Sequence, residues 1–203
     1  MVVQSDARAF HECRPTRHSS RRHQICLRKF GAAAEFGRWA TGHRIMENVF
    51  WLIPAKVAGR PGPDRAPWNL RSIRSAGIRA VLSVNDGLLC HPEDFQACDI
   101  SYACIPLSDN APPQPGDDET CLRALPLAYG FVQQQLMDGR ATLVHCSSGK
   151  DRTGLFLAYY LMRDTGISVA AAVEELRRVR PNVLTAVGWD HFAIDVLSRC
   201  RMT

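Results

Sequence analysis

A short apolar strand, Ala-Thr-Leu-Val-His over 141–145, runs directly into Cys146-Ser147-Ser148-Gly149-Lys150-Asp151-Arg152-Thr153-Gly154, and a helical pattern begins at Thr153. No other stretch limits the fold as much. A His-Cys-x5-Arg-[Ser/Thr] string arises by chance about once in 300 such chains, and requiring both glycines lowers that to the order of 10⁻⁵. Each position has a physical reason. Backbone N–H groups turning into a helix N-terminus form an anion cradle, and the helix dipole favours negative charge there. Gly149 and Gly154 let the main chain turn and approach closely. Arg152 offers a planar fork for two phosphate oxygens. Cys146 sits in the same positive field, where a cysteine is expected to serve as a nucleophile.

The rest of the chain supplies a sheet for that loop. Asn48–Ile53 and Lys56–Gly59 read as short strands, with Pro54 marking an edge position. A helix is predicted over 67–76, stopped by Gly77, then a buried strand over 78–84 ending in the turn Asn85-Asp86-Gly87. A strand over 100–107 leads into a Pro-rich loop, 108–116. Helix follows from Asp117 to about Asp138, with a kink or a break at Pro126. Further helices are predicted over 153–165, 168–180 and 189–200. Strands separated by helices imply an α/β fold, a central, mostly parallel twisted sheet flanked by helices on both faces.

Charge divides the chain in two. Residues 1–45 carry nine basic and three acidic side chains, residues 46–203 sixteen and seventeen. The basic segment, 1–45, reads as a disordered leader, a transit-like peptide or an upstream extension before Met46, with no catalytic role. The remainder, 46–203, is one domain, and its near-neutral charge argues against a nucleic-acid surface. With 46% hydrophobic residues the chain can bury a core. Its longest apolar run, Leu155 to Met162, is eight residues, so no membrane-spanning helix is predicted. Eight cysteines without regular spacing, and no apolar signal segment, point to free thiols in a cytoplasmic location. Cys90, Cys98, Cys104 and Cys121 are expected to be packing residues. No zinc-type His/Cys spacing occurs, so neither metal nor cofactor is expected.

The segment 145–154 resembles the signature loop of the cysteine-based protein tyrosine phosphatases. Its Gly-Lys-Asp-Arg-Thr-Gly wording is most similar to the dual-specificity and lipid-acting branches. The resemblance extends across about 48–198 through Val49–Ala58, the 78–84 strand, Asp109-x-x-Pro-Pro and Glu174-Glu175-Leu-Arg-Arg-x-Arg180-Pro181, in the order of small atypical dual-specificity phosphatases. It implies the cysteine-phosphatase fold and hydrolysis of phosphotyrosine, and of phosphoserine or phosphothreonine, through a phosphocysteine. Cys146 would be the nucleophile and Arg152 would hold the transferred group. Asp109, 37 positions upstream on a loop leaving a strand's C-terminal end, would be the general acid. Thr153 would hydrogen-bond the Cys146 sulfur, residues 147–152 would bind phosphate, and His145 would order the loop from behind.

The chain departs from that pattern in places. The Gln that positions water in many relatives is missing from 181–203, and Trp189 occupies about its place. The loop that clamps phosphotyrosine in larger relatives is not recognisable, which implies a shallow, permissive site. Asp151 is a second candidate acid, with Asp109 favoured because its loop can close. Lys150 is either solvated or a contact for polyanionic head groups. The substrate is then a phosphoprotein or, alternatively, a phosphoinositide; a catalytically inactive phosphate-binding module is a third reading.

Overall fold

The computed structural model describes residues 48–200, and the predicted leader lies outside the described residues. Five strands, β1 (Phe50–Ile53), β2 (Val57–Pro61), β3 (Ile78–Ser83), β4 (Ser101–Cys104) and β5 (Ala141–Cys146), form one sheet in the order β1-β2-β5-β3-β4. Only β1 and β2 pair antiparallel; the other three pairings are parallel. Each parallel step needs a crossover. These are supplied by α1 (Leu70–Ser75), α2 (Pro92–Ala97) and α3 (Asp117–Met137); after β5, the last strand, come α4 (Asp151–Thr165), α5 (Val169–Val179) and α6 (Trp189–Cys200). The architecture is the mostly parallel α/β sheet that the sequence predicts.

Alternation along the strands sends side chains to two cores. Ala58, Val81 and Leu143 pack with Ile73 of α1 and Phe95 of α2 on one face. Val57, Leu82 and Val144 pack with Leu125, Leu155, Leu176 and Val196 of α3 to α6 on the other. Leu155 to Met162 are buried without exception, so α4 is the central helix of the larger layer. Because β2, β3, β4 and β5 run parallel, the loops that leave them all emerge at one edge of the sheet, where such folds place their sites.

Four elements differ locally from expectation, three of them for an evident physical reason. Helix α1 begins three residues late because Asn69 caps it, its side chain accepting from Ser72 N at 3.1 Å. Helix α2 was not predicted; it buries only Phe95, too little to leave a periodic pattern. Strand β4 stops at Cys104, short of the expected 107. Helix α3 runs unbroken through Pro126, which lies on its exposed side, where water can meet the carbonyl that proline leaves unpaired.

Candidate active site

Strand β5 lies between β2 and β3, and its last residue is Cys146. The register opposes Arg60 to His145 and Pro61 to Cys146, so the loop 147–150 closes over the end of β2. Gly149 makes that closure possible. Its φ is +65°, and a Cβ there would lie 2.4 to 2.5 Å from Arg60 and Pro61 backbone atoms. A Cβ on Gly154 would press on Val183 and Leu184 at 3.2 to 3.3 Å, so this glycine lets α4 seat against the following loop.

Cys146 is 1% exposed, at the floor of the loop. Among the described residues, no acceptor pairs with the backbone amides of 147–153; the first bond back into the helix is Gly154 N to Lys150 O at 3.0 Å. Seven unpaired N–H groups at the head of a fifteen-residue helix are thus available to an anion. The Ser147 hydroxyl donates to the Asp64 carboxylate, which commits it to the loop's outer wall. The Lys150 side chain makes no hydrogen bond or ion pair among the described residues.

Arg152 is fixed through one nitrogen. Its Nε donates to the Ser108 carbonyl, and its guanidinium lies over the Trp189 ring with Cζ 5.6 Å from the centroid. The two Nη groups bond to nothing described, which leaves the outer fork for an anion. The Ser108 contact ties the 105–116 loop to Arg152 of the phosphate loop, one residue before Asp109. Asp109 is exposed, and its carboxylate has no hydrogen-bond partner among the described residues.

Asp151 faces elsewhere. Its Oδ1 accepts from Thr185 N at 3.1 Å and Ala186 N at 3.2 Å, and the side chain is buried. It holds the loop before α6 and does not face a leaving group, which counts against it as the acid. Thr153 Oγ1 is buried with no hydrogen-bond partner, so the expected bond to the Cys146 sulfur is not formed. Trp189 places no polar group free for water, since its Nε1–H donates to Asn110 O at 3.3 Å.

His145 is buried behind the loop. A carbonyl can only accept, so the 3.3 Å contact to Cys146 O places the proton on Nδ1, and Nε2 accepts from Ser83 Oγ at 2.6 Å. Ser83 then accepts from Tyr102 OH at 2.9 Å. Burial pushes the imidazole down to about 4, keeping it neutral at physiological pH. The unfolded chain takes this proton near 6.5 and the native chain only near 4. The native state therefore has its full stability above pH 6.5 and loses roughly 3 kcal/mol as pH falls to 4. Urea unfolding at pH 7 and pH 4.5 should show this acid loss in the wild type and a smaller one in His145→Gln. Equal losses would count against it.

The sequence reading missed Asp117 and Asn110. Burial raises the Asp117 carboxyl, but the Gln114 amide, Ser108, Asn110 and Arg152 outweigh it and hold the group below its ordinary value. Its oxygens accept from Asn110 Nδ2 at 2.9 and 3.0 Å and from Gln114 N at 2.6 Å. The signal was present, since Asp117 opens a predicted helix after the acid loop, but it read as a helix start alone. Among nearby thiols, burial pushes Cys90 and Cys104 up and Cys121 up to about 11. Cys104 is exposed, not a packing residue, and its thiol donates to Asn85 O at 3.2 Å. Among the described residues no cluster of three or more metal-ligating side chains occurs, and no helix is long and apolar enough to cross a membrane.

Comparison with known proteins agrees with this geometry. A family model described as the dual specificity phosphatase catalytic domain matches residues 69–192. Phosphatidylglycerophosphate phosphatase PTPMT2 of Arabidopsis thaliana is 28% identical over 116 residues, 55% of this chain and 47% of that protein. Dual specificity protein phosphatase 9 of Homo sapiens is 30% identical over 123 residues, 60% of this chain and 30% of that protein. The chain thus spans about half the length of these curated relatives, or less. Among solved structures, Tk-PTP in its active form gives a TM-score of 0.64 at 18% identity, covering 78% of this chain and 99% of that one. PTPMT1 in complex with PI(5)P gives 0.62 at 14%, covering 77% and 98%. At these identities the structures establish a shared fold.

Proposed function

Because the chain belongs to the dual-specificity phosphatase catalytic-domain family, we propose that it hydrolyses phosphotyrosine, and phosphoserine or phosphothreonine, monoesters on proteins through a phosphocysteine. The observation that carries this reading is the position of Cys146 at the floor of seven unpaired amides beside a half-committed Arg152. A phosphate monoester seated on those amides presents its phosphorus to Sγ. The thiolate attacks, the S–P bond forms as the P–O bond breaks, and the bond pair leaves with the departing oxygen, which takes the Asp109 proton. The Nη groups of Arg152 and the loop amides carry the equatorial charge of the transition state. Water then attacks the phosphocysteine with Asp109 as base, releasing phosphate and the thiolate; the Thr153 hydroxyl would assist the departing sulfur only by turning onto it, since it is not bonded to it in the structure.

The same reading assigns the chemistry to the domain 46–203 and none of it to 1–45. It places the protein in the cytoplasm, where the free thiols of the described chain are at home. A phosphoinositide or related phospholipid is the second reading. It is favoured by the unpartnered Lys150 side chain beside the loop and by the relative whose name is phosphatidylglycerophosphate phosphatase. A panel of phosphotyrosyl, phosphoseryl and phosphothreonyl peptides and short-chain phosphoinositides, assayed without added metal, separates them. Fastest turnover of the phosphotyrosyl peptides is expected. A tenfold or larger preference for the lipids would reverse the assignment, and no turnover of any substrate would leave only the inactive-module reading.

A further inference from the structure

No hydrogen bond holds the Asp109 side chain among the described residues, yet both of its neighbours are pinned. Ser108 gives its carbonyl to Arg152 Nε. The Asn110 amide donates to Ser108 Oγ at 3.2 Å, its side chain is clamped by Asp117, and its carbonyl accepts from Trp189 Nε1. Trp189 is the first residue of α6 and has no exposed surface. Its backbone N–H donates to Ala186 O at 3.0 Å, and the Ala186 amide in turn rests on Asp151 of the phosphate loop. Phe192 packs edge-on to the indole at 5.3 Å, which fixes the ring plane. One indole therefore lies beneath the guanidinium that would hold the phosphoryl group and bonds the residue next to the acid.

We propose that Trp189 is a positioning residue for the acid step: its indole N–H holds Asn110, and so Asp109, in register with the Arg152 that its ring supports. The assignment rests on the phosphatase reading above and deepens it. The proton concerned moves from the Asp109 carboxyl to the leaving oxygen as that oxygen takes the P–O bond pair. Its transfer matters most when the leaving group is a poor one, so a misplaced acid slows poor leaving groups and spares good ones. Trp189→Phe keeps an aromatic face under Arg152 and removes the indole N–H, the single side-chain donor that tryptophan owns.

The test is kcat/KM for a series of aryl phosphates of increasing leaving-group pKa, on wild type, Trp189→Phe, Asp109→Ala and the double variant. One part-buried hydrogen bond predicts a loss in Trp189→Phe of about 3- to 10-fold on the least activated ester. The loss on the most activated ester should be within about twofold. In the Asp109→Ala background the Trp189→Phe change should add nothing on either ester, because the group it positions is gone. Should phenylalanine leave the chain unfolded, the benzothienyl analogue of tryptophan preserves the bicycle without the N–H and takes its place. A uniform loss along the series, or a full loss on top of Asp109→Ala, overturns the positioning role. A wild-type chain inert toward the whole series removes the phosphatase reading and this assignment with it.

Discussion

Cys146→Ser abolishes turnover, with an expected loss on the order of 10⁴-fold or more on any phosphate monoester. A serine hydroxyl in the same place stays protonated at neutral pH and is a far weaker nucleophile than a thiolate. The binding apparatus is untouched by the change. The amides of 147–153 remain unpaired, and Arg152 keeps its Ser108 and Trp189 contacts. Inorganic phosphate should therefore still compete for the site in the variant with nearly the wild-type dissociation constant. Activity retained to within tenfold would mean that another residue attacks phosphorus.

Asp109→Ala has the second largest expected effect, a loss of about 10² to 10⁴ in rate on esters with poor leaving groups and much less on activated ones. Asp151→Ala provides the contrast. Its carboxylate accepts two backbone amides of the loop before α6, so its loss should lower stability by about 1–3 kcal/mol. The dependence of rate on leaving group should stay as in the wild type. Urea unfolding and the aryl phosphate series measure both effects. If the steep leaving-group dependence appears in Asp151→Ala and not in Asp109→Ala, the acid has been assigned to the wrong carboxylate.

What could be read from the sequence was what is local in the chain. The phosphate loop announces itself because strand, glycines, cysteine and arginine must lie within ten residues to build a cradle. The apolar runs at 78–84, 141–145 and 155–162 state their burial directly. Harder to read were the pairings that join distant segments. Arg60 is 2% exposed at the end of β2, its Nη2 on Ala66 O at 2.7 Å and its guanidinium over Trp68. Nothing in the run Val-Ala-Gly-Arg-Pro marks that arginine as buried, and the predicted strand stops one residue before it. Trp189 and Asn110 are 79 positions apart, and Ser83 and His145 are 62. Such contacts follow from the order of strands in the sheet, which periodicity does not specify. Thr153 shows the converse limit, since its place in the motif was legible and its hydrogen bond was not formed.

The central claim is that phosphorus passes through the sulfur of residue 146. Rapid-quench mass spectrometry with an activated aryl phosphate, whose leaving group departs faster than water can attack the enzyme, tests this most directly. The account predicts one phosphoryl group on the protein during turnover, mapped to the peptide containing Cys146 and missing from Cys146→Ser. Steady turnover with no phosphorylated protein, or a phosphoryl group found on any other side chain, would contradict it.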